Sequence, residues 1–202
     1  MQARRLAHAG YQEMPWRNGG GSTREIAREP AAGADFAWRL SLATVAISGP
    51  FSLYSGYDRV VALASGAGFV LTVGAAPPVR LAAPGEHLKF SGDAATGCEL
   101  IQGPATDVSL MVRRPGAILI VERLELGQRP LPLPQGAPLA ALVCLEGRCR
   151  CTPQASAAVE LDRFDTLLLE GEGAISAAAG DGGAARLLLL GWRVAAETPK
   201  IR

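Results

Sequence analysis

Hydrophobic and polar positions alternate along much of this chain. In residues 36–45, "FAWRLSLATV", Phe36, Trp38, Leu40 and Leu42 fall on one side of an extended backbone. Ala37, Arg39, Ser41 and Ala43 fall on the other. That two-residue period is the pattern of a half-buried strand. "RVVALA", "FVLTV", "VRLAA", "ALVCL", "TLLLE" and "RLLLLGW" are short apolar runs bounded by Gly, Pro, Asp or Ser. None sustains a 3.6-residue stripe beyond about two turns. The alanine-rich "TPQASAAVE", 152–160, carries Pro153 and mixed polarity, which argue against a helix. Short strands with turn signals at roughly ten-residue spacing predict an all-β sandwich or barrel.

The strand pattern also repeats. The stretch from Val60 to Asp93 and the stretch from Ala141 to Glu172 read alike: strand, Gly-containing turn, strand, polar break, turn, strand, Gly. The second turn is Pro84-Gly85 in one and Asp162-Arg163 in the other. Each copy leads on to a further strand ending in basic residues, "VSLMVRR" and "RLLLLGWR". This rhythm fits a jelly roll. Two tandem modules are expected, 1–126 and 139–202, joined by the Pro-rich 127–138 and packed as one unit. Prolines at that density resist helix and sheet ladder alike and predict an extended linker.

Composition supports this picture. With 24 glycines and 14 prolines in 202 residues, tight turns are well supplied. An apolar content of 49% allows a substantial core. A net charge of +1, with no basic run longer than two, gives no basis for a nucleic-acid surface. The arginines of "MQARRLAHAG" precede no apolar stretch of a secretory signal, and no apolar run is long enough for a membrane helix. A cytoplasmic location is expected.

The candidate chemistry is sparse. Cys98, Cys144, Cys149 and Cys151 do not form the paired spacing of a structural zinc site and read as reduced thiols on short strands. The two histidines, His8 and His87, are too few for a histidine-rich metal centre. His8 is expected to precede the fold proper. Glu86 cannot join His87 as a ligand from one strand, because neighbouring strand residues point to opposite faces. No metal and no cofactor is expected. Nucleophile-elbow and P-loop patterns do not occur.

Two local clusters stand out. "MPWRNGGGSTREIA", 14–27, sets Trp16, Asn18, Thr23 and Glu25 around Gly19, Gly20 and Gly21. Ser22 and Glu25 match a helix capping box, but Pro30 follows too soon for a helix. "YQEMPW" is not a convincing strand, which removes a dinucleotide fingerprint. The glycines therefore read as a turn entering a strand, "TREIARE", paired with "FAWRLSLA". The second cluster, "SGPFSLYSGYDRVVAL", 48–63, puts Phe51, Tyr54 and Tyr57 close to Asp58 and Arg59. It fits either a loop plugging one barrel end or a pocket wall with aromatic faces and a carboxylate-binding arginine.

These strings, with "CELIQGPATDVSLM", resemble the HutD/Ves family of small bacterial cupin-type proteins, from residue 8 to residue 192. The resemblance implies a double-stranded β-helix (cupin) fold in two modules, a bicupin. It also implies an association with histidine catabolism, as a modulator sensing urocanate or a formylated glutamate, without an established reaction. The family signature falls on Trp16, Asn18, Gly19, Gly20, Gly21, Thr23, Glu25, Trp38, Arg39, Ser41, Phe51, Ser52, Asp58, Arg59, Gly103, Asp107 and Met111. Ser109 departs from it, standing where the family often has Asn.

The expected binding residues are thus Trp16, Asn18, Gly20, Gly21, Thr23, Glu25, Arg39, Ser41, Phe51, Tyr54, Asp58 and Arg59. Arg59 or Arg39 would take a carboxylate, Trp16 or an aromatic of the 51–57 loop would stack on a planar ring, and Glu25 would accept an imidazole N–H. Three functions remain open. The first is a non-catalytic carboxylate-binding protein. The second is a metal-independent enzyme with Glu25 or Asp58 as acid/base. The third is a protein-interaction module. The polar face of Arg39 and Ser41 looks into either solvent or a barrel lumen. The second module lacks comparable clusters and is expected to be structural, with a homodimer surface possible.

Overall fold

The computed structural model describes residues 1–30, 35–115, 118–133, 137–154, 156–180 and 183–193. Their strands are, in chain order, β1 (Gln2–Leu6), β2 (Gln12–Pro15), β3 (Gly21–Glu29), β4 (Trp38–Val45), β5 (Gly49–Phe51), β6 (Tyr57–Ser65), β7 (Phe69–Val73), β8 (Val79–Leu81), β9 (His87–Ser91) and β10 (Thr96–Leu100). They continue as β11 (Ala105–Arg113), β12 (Ile118–Leu126), β13 (Leu131–Pro132), β14 (Leu139–Glu146), β15 (Cys149–Pro153), β16 (Val159–Leu161), β17 (Thr166–Glu170), β18 (Ile175–Ala179) and β19 (Ala185–Arg193). A single 3₁₀ turn, His8–Gly10, is the helical element among them. No helix of the described residues is long and apolar enough to cross a membrane.

The strands form four sheets. The order β2-β3-β4-β11-β6-β9 faces β5-β10-β7-β8, and the order β1-β17-β14-β19-β12 faces β13-β18-β15-β16. The block β4-β11-β6-β9 has the same order as β12-β19-β14-β17, and β5-β10-β7-β8 the same as β13-β18-β15-β16. The repeat seen between 60–93 and 141–172 is thus a repeat of strand order.

Alternation explains the layering. Trp38, Leu40 and Leu42 of β4, Val60 and Ala62 of β6, and Val108 and Leu110 of β11 leave the first barrel outward. They meet Ala141, Val143, Leu188, Leu190 and Trp192 from the large sheet of the second. Trp38 and Trp192 approach to 4.9 Å between ring centroids at this seam. The opposite residues of the same strands, Val61 and Leu63 among them, pack inward against Phe69, Leu71, Leu81 and Cys98. The second barrel is filled by Leu142, Cys144, Cys149, Cys151, Leu161, Leu167 and Leu187. All four thiols are free and buried.

Several expectations are corrected by sheet membership. Gln12–Pro15 is a strand, paired with Ser22–Glu25. It lacks an apolar alternation because all four of its residues are exposed at the sheet edge, where Pro15 is also tolerated. Gln2–Leu6 does not precede the fold; it pairs with Thr166–Glu170 in the second barrel. His8 packs 5.5 Å from the rings of both Tyr11 and Phe164. The strand Ile118–Leu126 also belongs to the second barrel, pairing with β19. The boundary expected at residue 126 therefore falls between Arg113 and Ile118, and β1 joins the later half. Within the expected linker 127–138, Leu131 and Pro132 pair with β18 at the rim of a sheet.

Candidate functional site

The first barrel encloses a cavity of about 460 Å³ between its two sheets, within the size range of small-molecule sites. Its floor follows from the register of three strands. Across β4, β11 and β6, one row reads Arg39, Met111, Arg59; the next Ser41, Ser109, Val61; the third Ala43, Asp107, Leu63. Side chains of one row and of every second row share a face. The faces carrying Val108 and Leu110 go to the seam between barrels, so Asp107, Ser109 and Met111 must go inward. The Arg39–Ser41 face therefore lines a lumen and not solvent.

The walls come from two loops. The β2–β3 hairpin turns tightly: the Trp16 N–H donates to Gly21 O at 2.9 Å and the Gly19 N–H to Trp16 O at 3.0 Å. The Asn18 side-chain oxygen accepts from the Gly20 N–H at 3.0 Å. Gly19 takes a φ of +69°, which suits glycine. Gly21 has a different reason: a Cβ there would run into the carbonyl oxygen of Thr44 and lie 3.1 Å from the Trp16 ring. The close approach it permits lets the Trp16 indole stand as a wall, where its Nε1–H donates to Thr23 Oγ1 at 2.8 Å. From the β5–β6 side Phe51 meets Trp16 edge-on at 6.5 Å, and Tyr54 and Ser52 close the ring of lining residues.

The guanidinium groups are held by aromatic faces and neutral acceptors. Arg39 lies 5.1 Å from the Phe36 centroid and 5.2 Å from that of Tyr54, and donates to the Tyr54 hydroxyl at 3.0 Å. Arg59 lies 5.0 Å from Phe90, 5.4 Å from Tyr54 and 5.7 Å from Phe51, and donates to Ser52 O at 3.1 Å. Both Nε atoms are buried without a hydrogen-bond partner among the described residues. Arginines outside the cavity differ: Arg28 lies 4.0 Å from Glu25 and Arg114 lies 3.4 Å from Asp58.

Asp107 is 2% exposed. Burial pushes its carboxyl up to about 7, and the charge of Arg59 opposes that shift only in part. Burial also lowers the pKa of Arg59. Asp107 Oδ1 and Ser109 Oγ have no partner among the described residues. A lumen lined by Arg17, Arg39 and Arg59, with one acid near neutrality and a free hydroxyl, can hold a small anion between aromatic walls. Among the described residues no group of three His, Cys, Asp or Glu is placed to hold a metal ion.

Of the expected residues, Trp16, Asn18, Thr23, Arg39, Ser41, Phe51, Tyr54 and Arg59 line this one cavity. The two sequence clusters therefore meet in space. Gly20 lines a smaller cleft on the outer side of Trp16 and Phe51, and Gly21 lies behind the wall. Glu25 shares a register row with Ser41, but a bulge follows it and its carboxylate turns to Arg28. Asp58 alternates with Arg59 and points out of the barrel to Arg114. Neither acid proposed for catalysis lines the cavity. Asp107 does, with Ser109, Met111, Met14, Arg17, Pro50 and Ser52. The signal for Asp107 was present in "TDVSLM": Asp107, Ser109 and Met111 alternate against Val108 and Leu110, the same polar-inward pattern as Arg39 and Ser41.

The second barrel provides an internal comparison. Its equivalent rows read Ile120, Gly191, Ala140; then Glu122, Leu189, Leu142; then Leu124, Leu187, Cys144. It too has a cavity, about 670 Å³, lined by Ile120, Ala140, Leu189, Gly191 and Glu122 among others. Both arginines and the buried acid are replaced there by apolar residues. One strand order thus carries two arginines and a buried acid in the lumen of one copy, and Ile120, Ala140 and Leu187 at the same three places in the other.

A family model described as HutD matches residues 8–187. The chain is 41% identical over 102 residues to a 21.2 kDa protein from the hutC 3' region of Pseudomonas putida, covering 50% of this chain and 53% of that protein. It spans about half the length of the curated relatives it matches. Over 95% of the chain it superimposes on a conserved protein of unknown function from Pseudomonas aeruginosa PAO1, with TM-score 0.86, 30% identity and 99% of that chain covered. HutD from Pseudomonas fluorescens SBW25 matches over 95% of this chain and 100% of its own, with TM-score 0.76 and 30% identity. Bacillus subtilis oxalate decarboxylase, at 6% identity and TM-score 0.65 over 95% of this chain and 77% of its own, shares the cupin-like all-β fold.

Proposed function

The chain belongs to the HutD family, and on that premise we propose that it is a non-catalytic binding protein for a small carboxylate that modulates histidine utilisation. Urocanate and formylated glutamate are the first ligands to try. The similarity to a protein encoded in a hutC region supports the pathway. The observation that carries the binding reading is the pair Arg39 and Arg59. Both line one cavity, and no ion pair to a carboxylate compensates either among the described residues. Arg59 is buried, Arg39 is half-buried, and neither has a carboxylate within ion-pair distance among the described residues; such cations are costly unless a ligand supplies the anion. Guanidinium is also the group best shaped to take a carboxylate bidentately.

The test is a thermal-shift panel of histidine, urocanate, formylated glutamate and other pathway intermediates. A carboxylate at about 100 times its Kd should stabilise the native state by about 2.7 kcal/mol. Arg59→Lys, which keeps the charge and loses the fork, should remove most of that shift. No stabilisation by any panel member at millimolar concentration would sink the reading.

A metal-independent enzyme acting on a histidine-degradation intermediate is the second reading, and one observation favours it. Asp107, not Glu25 or Asp58, combines burial in the cavity with a pKa near neutrality. Turnover of a panel compound by the pure protein, lost in Asp107→Asn, would replace the binding reading with this one.

A further inference from the structure

We propose that Asp107 is the specificity-determining residue of the first-barrel cavity, and that it selects carboxylates which also carry an N–H donor. The inference rests on the carboxylate-binding reading and narrows it. The arginine row takes the ligand carboxylate; Asp107, two rows further along β11, takes a hydrogen-bond donor elsewhere on the same molecule.

Three observations converge. First, Asp107 Oδ1 is buried, lines the cavity and has no partner among the described residues. Buried polar atoms are almost always satisfied, so the missing partner is expected from the ligand. Second, the groups facing Asp107 do not supply it. Arg59 from β6 acts on it through its field and spends Nη1 on Ser52 O. Arg39 from β4 donates to Tyr54. Cys98 from β10 is a neutral thiol, its pKa pushed up to about 12 by burial and by the nearby Asp107 and Glu99. Third, the barrel does not require an acid at this position. Leu187 holds the equivalent place in the second barrel, fully buried among leucines.

The chemistry then follows. Above its value of about 7 Asp107 is ionised and only accepts hydrogen bonds, so the titrations below are run at about pH 8.5. A second ligand anion beside Asp107 is repelled, whereas an amide, pyrrole or imidazole N–H is drawn in by a charge-assisted bond. A polar site left unpaired by a donor-free analogue discriminates against it far more strongly than an apolar pocket would.

The experiment titrates two isosteric pairs into the full chain by calorimetry. One is 3-(pyrrol-2-yl)acrylate against 3-(furan-2-yl)acrylate, in which N–H becomes O. The other is N-formylglutamate against its ester analogue, 2-(formyloxy)glutarate, with the same exchange. The wild-type protein is expected to favour the N–H member of at least one pair by roughly tenfold or more. Asp107→Leu, which installs the residue of the second barrel, should reduce that preference to about twofold or less. Asp107→Asn serves if the leucine variant does not fold. Its neutral amide offers both donor and acceptor, so the preference should drop several-fold or invert. Carboxylates that bind the wild type without preference, or a preference that survives both substitutions, overturn this inference and leave the binding reading standing. Failure of every probe and panel carboxylate to bind overturns both.

Discussion

Arg59 and Ala140 occupy the same place in the two barrels. Arg59 is paired with Met111 across β6 and β11, and Ala140 with Gly191 across β14 and β19. The relationship holds for the neighbouring strand as well, where Arg39 answers to Ile120. The fold therefore tolerates apolar residues at both arginine positions, so the cations of the first barrel answer to something other than folding.

Exchange of these residues makes the first prediction. Arg39→Ile and Arg59→Ala each copy the second barrel. Each should keep a cooperative unfolding transition and lose about 2–5 kcal/mol of carboxylate binding. Calorimetric affinity beside a urea melt checks this. Undiminished affinity in both variants would remove the arginines from the site.

Gly21→Ala tests the wall. The added methyl runs into the Thr44 carbonyl and presses on the Trp16 ring. The β2–β3 hairpin must shift, costing roughly 1–3 kcal/mol of stability. Ligand affinity should fall with it, and tryptophan fluorescence should report a displaced Trp16. Gly19→Ala meets no atom within 4 Å and strains only its own backbone. It should change affinity less.

The pH dependence of stability isolates Asp107. Its folded value of about 7 lies above the ordinary 3.8. Between those values the folded protein keeps a proton that the unfolded chain has released. Stability from this group is therefore full below about pH 4 and declines as pH rises to about 7, by on the order of 4 kcal/mol. Asp107→Asn has no such titration. Its melting temperature should exceed that of the wild type by more near pH 8 than near pH 5. An equal difference at both would contradict the assignment.

Trp192 anchors the seam between the barrels. It is fully buried beside Trp38. Trp192→Ala should cost about 3–5 kcal/mol, through lost burial and the cavity left behind. Because this core joins both large sheets, the whole chain should unfold in one denaturant transition. Two separated transitions in the wild type would contradict that.

Much of this architecture could be read from the chain because a strand writes its two faces at a period of two. Trp38-Leu40-Leu42 against Arg39-Ser41 gave the faces of β4. What alternation does not record is which sheet a strand joins. Gln2–Leu6 and Ile118–Leu126 pair with strands distant in sequence, and nothing local marks that exchange. Gln12–Pro15 was illegible for another reason: an edge strand with both faces exposed needs no apolar pattern. At the site, aromatic and glycine clusters pointed to Trp16, Phe51, Tyr54 and Arg59. Asp58 misled because an acid beside an arginine looks like a pair, whereas strand neighbours face opposite ways. Asp107 fell in the family signature and showed the inward alternation, but was not among the expected binding residues, because its role depends on what faces it from β6 and β10.

The most direct measurement is a crystal structure of the protein grown with a saturating carboxylate from the binding panel. The account predicts density in the first barrel, with the ligand carboxylate within hydrogen-bond distance of Arg39 and Arg59 and its ring or chain beside Trp16. A ligand seated in the cavity of the second barrel, or in neither, would contradict it.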